Sequence, residues 1–234
     1  MVLNMTMTSK MMTVSAALIT SLGSLAFASS VHAADATQTQ PSTGRITLEA
    51  GDTTKPTDPI DQGDGSGTTG QKGDLTIDNI TALDFGSVKL TGDGQTIDNT
   101  VVNPNVQVTD KRGTGAGWKL MVKSSTFADA TDATHTLKGA TIDFPMGTVK
   151  TNAKDTANNT AMPTANKLTV PADGTSSDQV VMQADKDKGL GTWEDAFEQN
   201  TDSNKKVALN VAGGAYAGAY SATLTWTLTN TPTN

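Results

Sequence analysis

The residue types that usually carry catalysis or hold metals are scarce in this chain. It has no cysteine and two histidines, His32 and His135, so the common Cys/His zinc sites cannot be assembled. A Ser-His-Asp arrangement would have to use His135, which lies in the polar run Thr131–Lys138, and no serine stands in a nucleophile-type turn. The 24 acidic residues are scattered through turns and polar stretches, with nothing to single out a glycosidase pair. The chain is therefore read as a non-enzyme that uses neither cofactor nor metal. What remains is binding chemistry: aromatic rings that can stack on sugars, and a few cations that can meet carboxylates or phosphates. The candidates are Trp118, Trp193, Trp226, Tyr216 and Tyr220 for the rings, with Lys111, Arg112, Lys119 and Lys123 for the charge.

Local periodicity says how these residues are presented. Tyr216, Tyr220, Ala222, Leu224, Trp226 and Leu228 fall on even positions, while Ser221, Thr223, Thr225, Thr227 and Thr229 fall on odd ones. Period-two alternation of this kind marks a half-buried β-strand. Trp118, Leu120 and Val122 share a face in the same way. That pattern favours Trp118 and Trp226 as core residues over exposed sugar platforms. Trp193, after a glycine-rich turn and before acidic residues, has no such face and is the better candidate for an exposed ring. The tyrosines near the strand end suit either packing or ligand contact. Lys119 and Lys123 point away from the Trp118 face, and Lys111 and Arg112 lie in the preceding glycine-rich loop, Asp110–Gly117. Together they form either a basic stripe for carboxylates and phosphates or a set of lysines that keeps a strand soluble.

Residues 1–33 read as a secretory leader, with Lys10 before an apolar, hydroxyl-rich run and Val31-His32-Ala33 as the cleavage site. Beyond them the sequence has no further stretch apolar enough to span a membrane. The whole chain carries a formal charge of -7, which argues against nucleic acid as a partner. An exported chain without cysteine must be stabilised by burial alone. Residues 34–74, rich in Thr, Asp, Gly and Pro, read as a flexible acidic linker, in which the alternation at Arg45–Ala50 allows one short strand. Asp58, Asp61 and Asp64 are spaced by three, unlike a calcium loop. From Leu75 to Asn234 short strand signals follow one another: Leu75–Ile77, Leu83–Leu90, Val106–Val108, Trp118–Val122, Ala140–Phe144, Lys167–Val170, Gln179–Gln183, Val207–Val211 and Tyr220–Asn230. Only Trp193–Gln199 has helix-forming composition. Many short strands without helical crossovers predict an all-β fold, an antiparallel sandwich or Greek-key-like barrel with at most one short helix.

The two tryptophan strands resemble the signatures of the WxL family of surface proteins from low-GC Gram-positive bacteria. The distal signature is Tyr216, Tyr220, Ala222, Leu224, Thr225, Trp226, Thr227, Leu228 and Pro232; the proximal one runs from Val108 to Val122 through Trp118 and Leu120. Leader, acidic linker and a domain that ends shortly after the last strand match the family's small, single-module type. The resemblance implies a non-covalent cell-wall-binding domain on peptidoglycan or another wall polymer, displayed with other WxL proteins and a membrane-anchored companion. The expected location is the cell wall or surface of a secreting cell, held without a sortase signal. The alternative is an interaction subunit whose ligand is that companion or a host matrix protein.

Overall fold

The computed structural model describes residues 39–62, 67–152, 162–197 and 206–230. The leader expected over residues 1–33 and the motif proline Pro232 lie outside them. The chain divides into two compact units, residues 1–46 and residues 47–234, and every strand belongs to the second.

Among the described residues every regular element is a strand. In chain order these are β1 (Leu75–Ile80), β2 (Gln95–Asp98), β3 (Asn105–Asp110), β4 (Trp118–Ser124), β5 (Ala128–Asp129), β6 (Thr141–Phe144) and β7 (Thr148–Thr151). Then come β8 (Thr164–Ala165), β9 (Leu168–Pro171), β10 (Gln179–Ala184), β11 (Gly191–Ala196), β12 (Ala208–Val211), β13 (Tyr220–Ser221) and β14 (Leu224–Thr229). They form three four-stranded sheets: sheet I with order β1-β3-β11-β7, sheet II with β14-β4-β10-β8, and sheet III with β2-β12-β6-β9. A two-stranded ribbon, β13-β5, completes the set. All pairings are antiparallel. Each sheet order is open, so the expected all-β antiparallel architecture forms without closing into a barrel.

Side-chain alternation builds one core between these sheets. In β4 the even positions Trp118, Leu120 and Val122 are buried, while Lys119, Met121 and Lys123 are not. Sheet I contributes Ile77, Val106, Val108 and Trp193, and sheet III contributes Ile142, Phe144, Val170 and Leu209, to the same cluster. Phe144 packs edge-on against Phe197 at 5.4 Å and against Trp226 at 6.1 Å between centroids. The Trp118 indole N–H, deep in this core, donates to the Gly189 carbonyl at 2.9 Å. Gly189 sits at φ 72°, and a Cβ there would lie 2.6 Å from the indole nitrogen. Only glycine brings that carbonyl so close to the ring.

Three expectations differ from the structure. Trp193–Gln199 does not start a helix: residues 191–196 are strand β11, paired with both β3 and β7. Two flanking ladders override the local helix preference. Arg45–Ala50 is not a strand, and Ile46 and Leu48 are exposed; among the described residues no strand pairs with this stretch. Leu83–Leu90 is likewise without strand structure; its Asp84 is tied instead to Asn99 and Thr100.

Part of the stretch read as linker is anchored. The Ile60 N–H donates to Gln107 Oε1 at 2.7 Å, and Gln107 Nε2 donates to the Asp58 carbonyl at 3.2 Å. The Asp61 N–H donates to Glu194 Oε2 at 2.9 Å, and Gly67 accepts from the Ile80 N–H. This strap explains why β3 is buried on both faces, although its outward residues Asn105, Gln107 and Thr109 are polar.

The two signature tryptophans should therefore differ in denaturation. Trp118→Ala is expected to cost about 3–5 kcal/mol in urea unfolding. Gly189→Ala should also destabilise, and Trp226→Ala should cost clearly less than Trp118→Ala because its ring is only half-buried. Equal losses at the two tryptophans would contradict this placement of the core.

Candidate functional site

Sheet II brings most of the residues singled out by sequence onto two adjoining strands. β14 pairs with β4 in unbroken register, placing Trp226 opposite Val122, Leu228 opposite Leu120 and Leu224 opposite Ser124. One face of this pair enters the core. The other carries Thr225, Thr227 and Thr229 opposite Lys123, Met121 and Lys119. Threonine hydroxyls and lysine ammonium groups thus form a polar strip two strands wide, with Met121 at its centre. Lys123 makes a loose, exposed ion pair with Asp178 at 3.9 Å, and Lys119 makes none among the described residues.

The other members of the expected stripe are spent on structure. Arg112 forms a bidentate ion pair with buried Asp110, at 2.9 and 2.7 Å, and also donates to the Gly117 carbonyl. That pairing raises the Arg112 pKa, with burial opposing it. The guanidinium pins the loop ahead of Trp118 and is no free cation. Lys111 reaches the Lys55 carbonyl at 3.4 Å.

Trp193 is a correction. Its ring is 2% exposed, and its N–H donates to the Leu190 carbonyl at 2.8 Å. The glycine turn that suggested exposure instead folds its backbone over the indole. Trp118 is fully buried as the alternation predicts. Trp226 is half-buried and lines a groove of about 1080 Å³. Leu83, Phe85, Val88 and Leu90 line that groove together with Leu224 and Trp226. Tyr220 also lines it, and its hydroxyl donates to the Tyr216 carbonyl at 3.0 Å. Tyr216 itself is 64% exposed and stacks on His135, with centroids 4.2 Å apart. The lone histidine of the described residues is thus engaged by a ring.

Two functional-looking groups escaped sequence reasoning. Glu194 and Asp195, adjacent on β11, are both fully buried, and Glu194 Oε1 and both Asp195 carboxylate oxygens lack hydrogen-bond partners. Burial pushes Glu194 up to about 7, with the charge of Asp61 adding to the rise. Burial likewise pushes Asp195 up to about 7, with the charge of Glu194 adding. Asp61 is held low by its 2.8 Å bond from Lys150 Nζ. No pattern in W-E-D-A-F marks these acids as internal, since a charged strand reads as a surface one. Among the described residues no three His, Cys, Asp or Glu side chains gather as a metal site, and no helix is long and apolar enough to cross a membrane.

A family model described as "WxL domain surface cell wall-binding" matches residues 35–232. The chain belongs to the WxL family. No curated protein matches it. In this WxL domain the two name-giving tryptophans occupy different environments, one sealed in the core and one bordering a groove. The family assignment places the protein at the cell surface as a wall-binding module.

The buried acids set a pH dependence. Folded, Glu194 and Asp195 keep their protons up to about 7, whereas their ordinary values are 4.5 and 3.8. The folded chain therefore binds more protons across that window, and stability falls as pH rises through it. Asp52, Asp129, Asp132 and Asp173, held low by threonine and backbone donors, lose their contribution only as pH falls below the usual carboxylate range. Thermal melting should thus peak at mildly acidic pH and decline toward pH ~8. Glu194→Gln/Asp195→Asn should flatten that decline. A melting temperature that climbs from pH ~5 to ~8 would rule out protonated buried acids.

Proposed function

We propose that this WxL domain holds non-covalently to peptidoglycan through the polar outer face of sheet II. The observation that carries the reading is the Thr225–Thr227–Thr229 row set against Lys119 and Lys123. Hydroxyls can exchange hydrogen bonds with glycan hydroxyls and amides, and ammonium groups can meet the carboxylates of stem peptides. Each such contact is weak and exposed. A repetitive wall supplies many copies at once, so avidity does what single-site affinity cannot. The sheet's inner face, anchored by Trp118, Leu120 and Val122, keeps the strip rigid. The tryptophans serve this function by holding the face in shape, and the buried Trp193 contributes in the same indirect way. The unit is non-catalytic and reaches the wall as an exported chain, with residues 1–33 as its leader and the residues from Leu75 onward as its wall-binding domain.

A second reading, that the domain is an interaction subunit for another surface protein, is favoured by a different observation. The groove beside Trp226 carries incompletely covered apolar side chains, Val88, Leu90 and Trp226 among them, on which a protein segment can pack. A companion that docks there would leave the polar strip free, so both attachments can coexist.

Protein-stripped sacculi mixed with the purified mature chain provide the test. The chain should co-sediment at low salt and be released progressively as salt rises. Lys119→Glu/Lys123→Glu, both on the solvent face, should remain folded and lose at least about tenfold in apparent affinity. A protein that stays in the supernatant unless a companion is added would overturn wall binding as its own activity.

A further inference from the structure

We infer that the strap over Asp58–Asp61 is a proton-operated latch: uncharged Glu194 holds it across the outer face of sheet I, and ionised Glu194 releases it and uncovers that face. The inference is independent of wall binding, since the Thr/Lys strip belongs to sheet II.

The strap is held by one row of side chains. Glu194 on β11 stands directly opposite Gln107 on β3 and Lys150 on β7. Residues paired in this way share a face, here the one away from Trp193 and the core. The strap follows the row. Gln107 Oε1 accepts from the Ile60 N–H at 2.7 Å, and Gln107 Nε2 donates to the Asp58 carbonyl at 3.2 Å. Glu194 Oε2 accepts from the Asp61 N–H at 2.9 Å, and Lys150 Nζ donates to Asp61 Oδ2 at 2.8 Å. Asn105 Nδ2 donates to the Asp61 carbonyl at 3.3 Å. Residues 58–61 belong to no strand. Side chains of sheet I, and no backbone ladder, hold them down.

Within the row, Glu194 is the member whose grip depends on charge in the neutral range. Gln107 does not titrate. The Lys150–Asp61 pair is partly exposed at both ends, so it adds little. Glu194 is sealed from water, and its Oε1 has no hydrogen-bond partner. Around it the strap brings Asp58 and Asp61, and β7 brings Lys150. On this face β3 presents only the uncharged Asn105, Gln107 and Thr109. Asp78 of β1 is bonded to Gln107 at 3.1 Å, and Asp195 projects to the opposite face.

The sign of the coupling follows. Burial pushes Glu194 up to about 7; the Asp61 N–H opposes the rise, the Asp61 charge adds to it, and Lys150 opposes it least. Lifting the strap opens Glu194 to water, where its ordinary value is 4.5. Closing therefore takes up a proton, and the closed form weakens as pH rises from that value through about 7. One accepted N–H does not offset an ionised, buried carboxylate whose other oxygen meets no donor. Asp61, held low chiefly by its bond from Lys150, stays charged across this window and does not reverse the sign. Asp195, on the core side, is linked to unfolding of the sheet and not to lifting of the strap.

The test follows amide hydrogen exchange in the full mature chain, with each rate divided by its intrinsic value at that pH. Protection at Ile60 and Asp61 should fall at least about tenfold between pH ~5 and ~8, while the amides of the β3–β11 ladder stay protected. Glu194→Gln should abolish that fall, and Asp195→Asn should leave it in place. In the unaltered chain the side-chain carboxyl carbon resonance of Glu194 should titrate with the same midpoint as the strap amides. Strap protection that is constant with pH would overturn the inference, as would a Glu194→Gln chain that keeps the full decline. Strap and ladder amides that lose protection together would also overturn it, because the whole domain would then be opening. If Glu194→Gln does not fold, the carboxyl titration decides: a midpoint near the ordinary glutamate value, or one apart from that of the strap amides, rules the latch out.

Discussion

The fold depends on β4 staying in place between β14 and β10, and Trp118 is what holds it there. The indole is sealed from water, and its single donor is satisfied by the Gly189 carbonyl. A buried indole N–H without that acceptor would carry an uncompensated desolvation cost, so ring and turn stabilise one another. Just upstream, Arg112 closes the approach loop by gripping Asp110 and the Gly117 carbonyl. In a chain without disulfides these contacts do what a covalent cross-link does in many exported domains. They tie distant loops to a central strand, so the polar face of sheet II is presented on a stiff support.

Sheet I follows a different logic. Its core side is ordinary, but its outer side is polar and still buried, because the strap around Asp58–Asp61 lies over it. Gln107 is the central tie: it accepts from the Ile60 N–H, donates to the Asp58 carbonyl and donates to Asp78 at 3.1 Å. Asp78 in turn accepts from Thr109 at 2.5 Å. This network is well satisfied where glutamine, aspartate and threonine meet. It is poorly satisfied where Glu194 and Asp195 keep oxygens without partners. Such groups are tolerable in the interior when protonated and costly when charged. The N-terminal strap is fastened at one of these two carboxylates, Glu194, through the Asp61 N–H.

The two WxL signatures divide the labour of sheet II. The proximal one lies on an interior strand and is consumed by packing. The distal one lies on an edge strand, so its inward residues are only half-covered and its backbone is half-paired. The same local pattern therefore yields an architectural element in one place and an open surface in the other. The Thr/Lys strip and the groove lined by Leu224 and Trp226 lie on different faces of this one ribbon.

Much of this was legible in the residues. Period-two alternation at Trp118–Val122 and Leu224–Leu228, the outward lysines and the scarcity of helix signals need only local chemistry, and all reappear in the strands and faces described. Where neighbours in space intervene, local reading failed. Trp193–Gln199 has helix-forming composition, but its residues up to Ala196 are claimed by ladders on both sides, and Trp193 is buried by a turn that looked open. Asp58–Asp61 reads as solvated linker, yet side chains far away in sequence satisfy its backbone. Nothing local distinguishes Glu194 and Asp195 from surface acids, or Arg112 from a free cation, because burial and pairing are properties of what folds on top of a residue. Sequence by itself determined the type of strand and which face of each is apolar, since side-chain period and hydropathy are intrinsic to the chain. Only the tertiary structure decided which strand became an edge, which acids were sealed from water and where a groove was left open, since these depend on contacts between residues far apart along the chain.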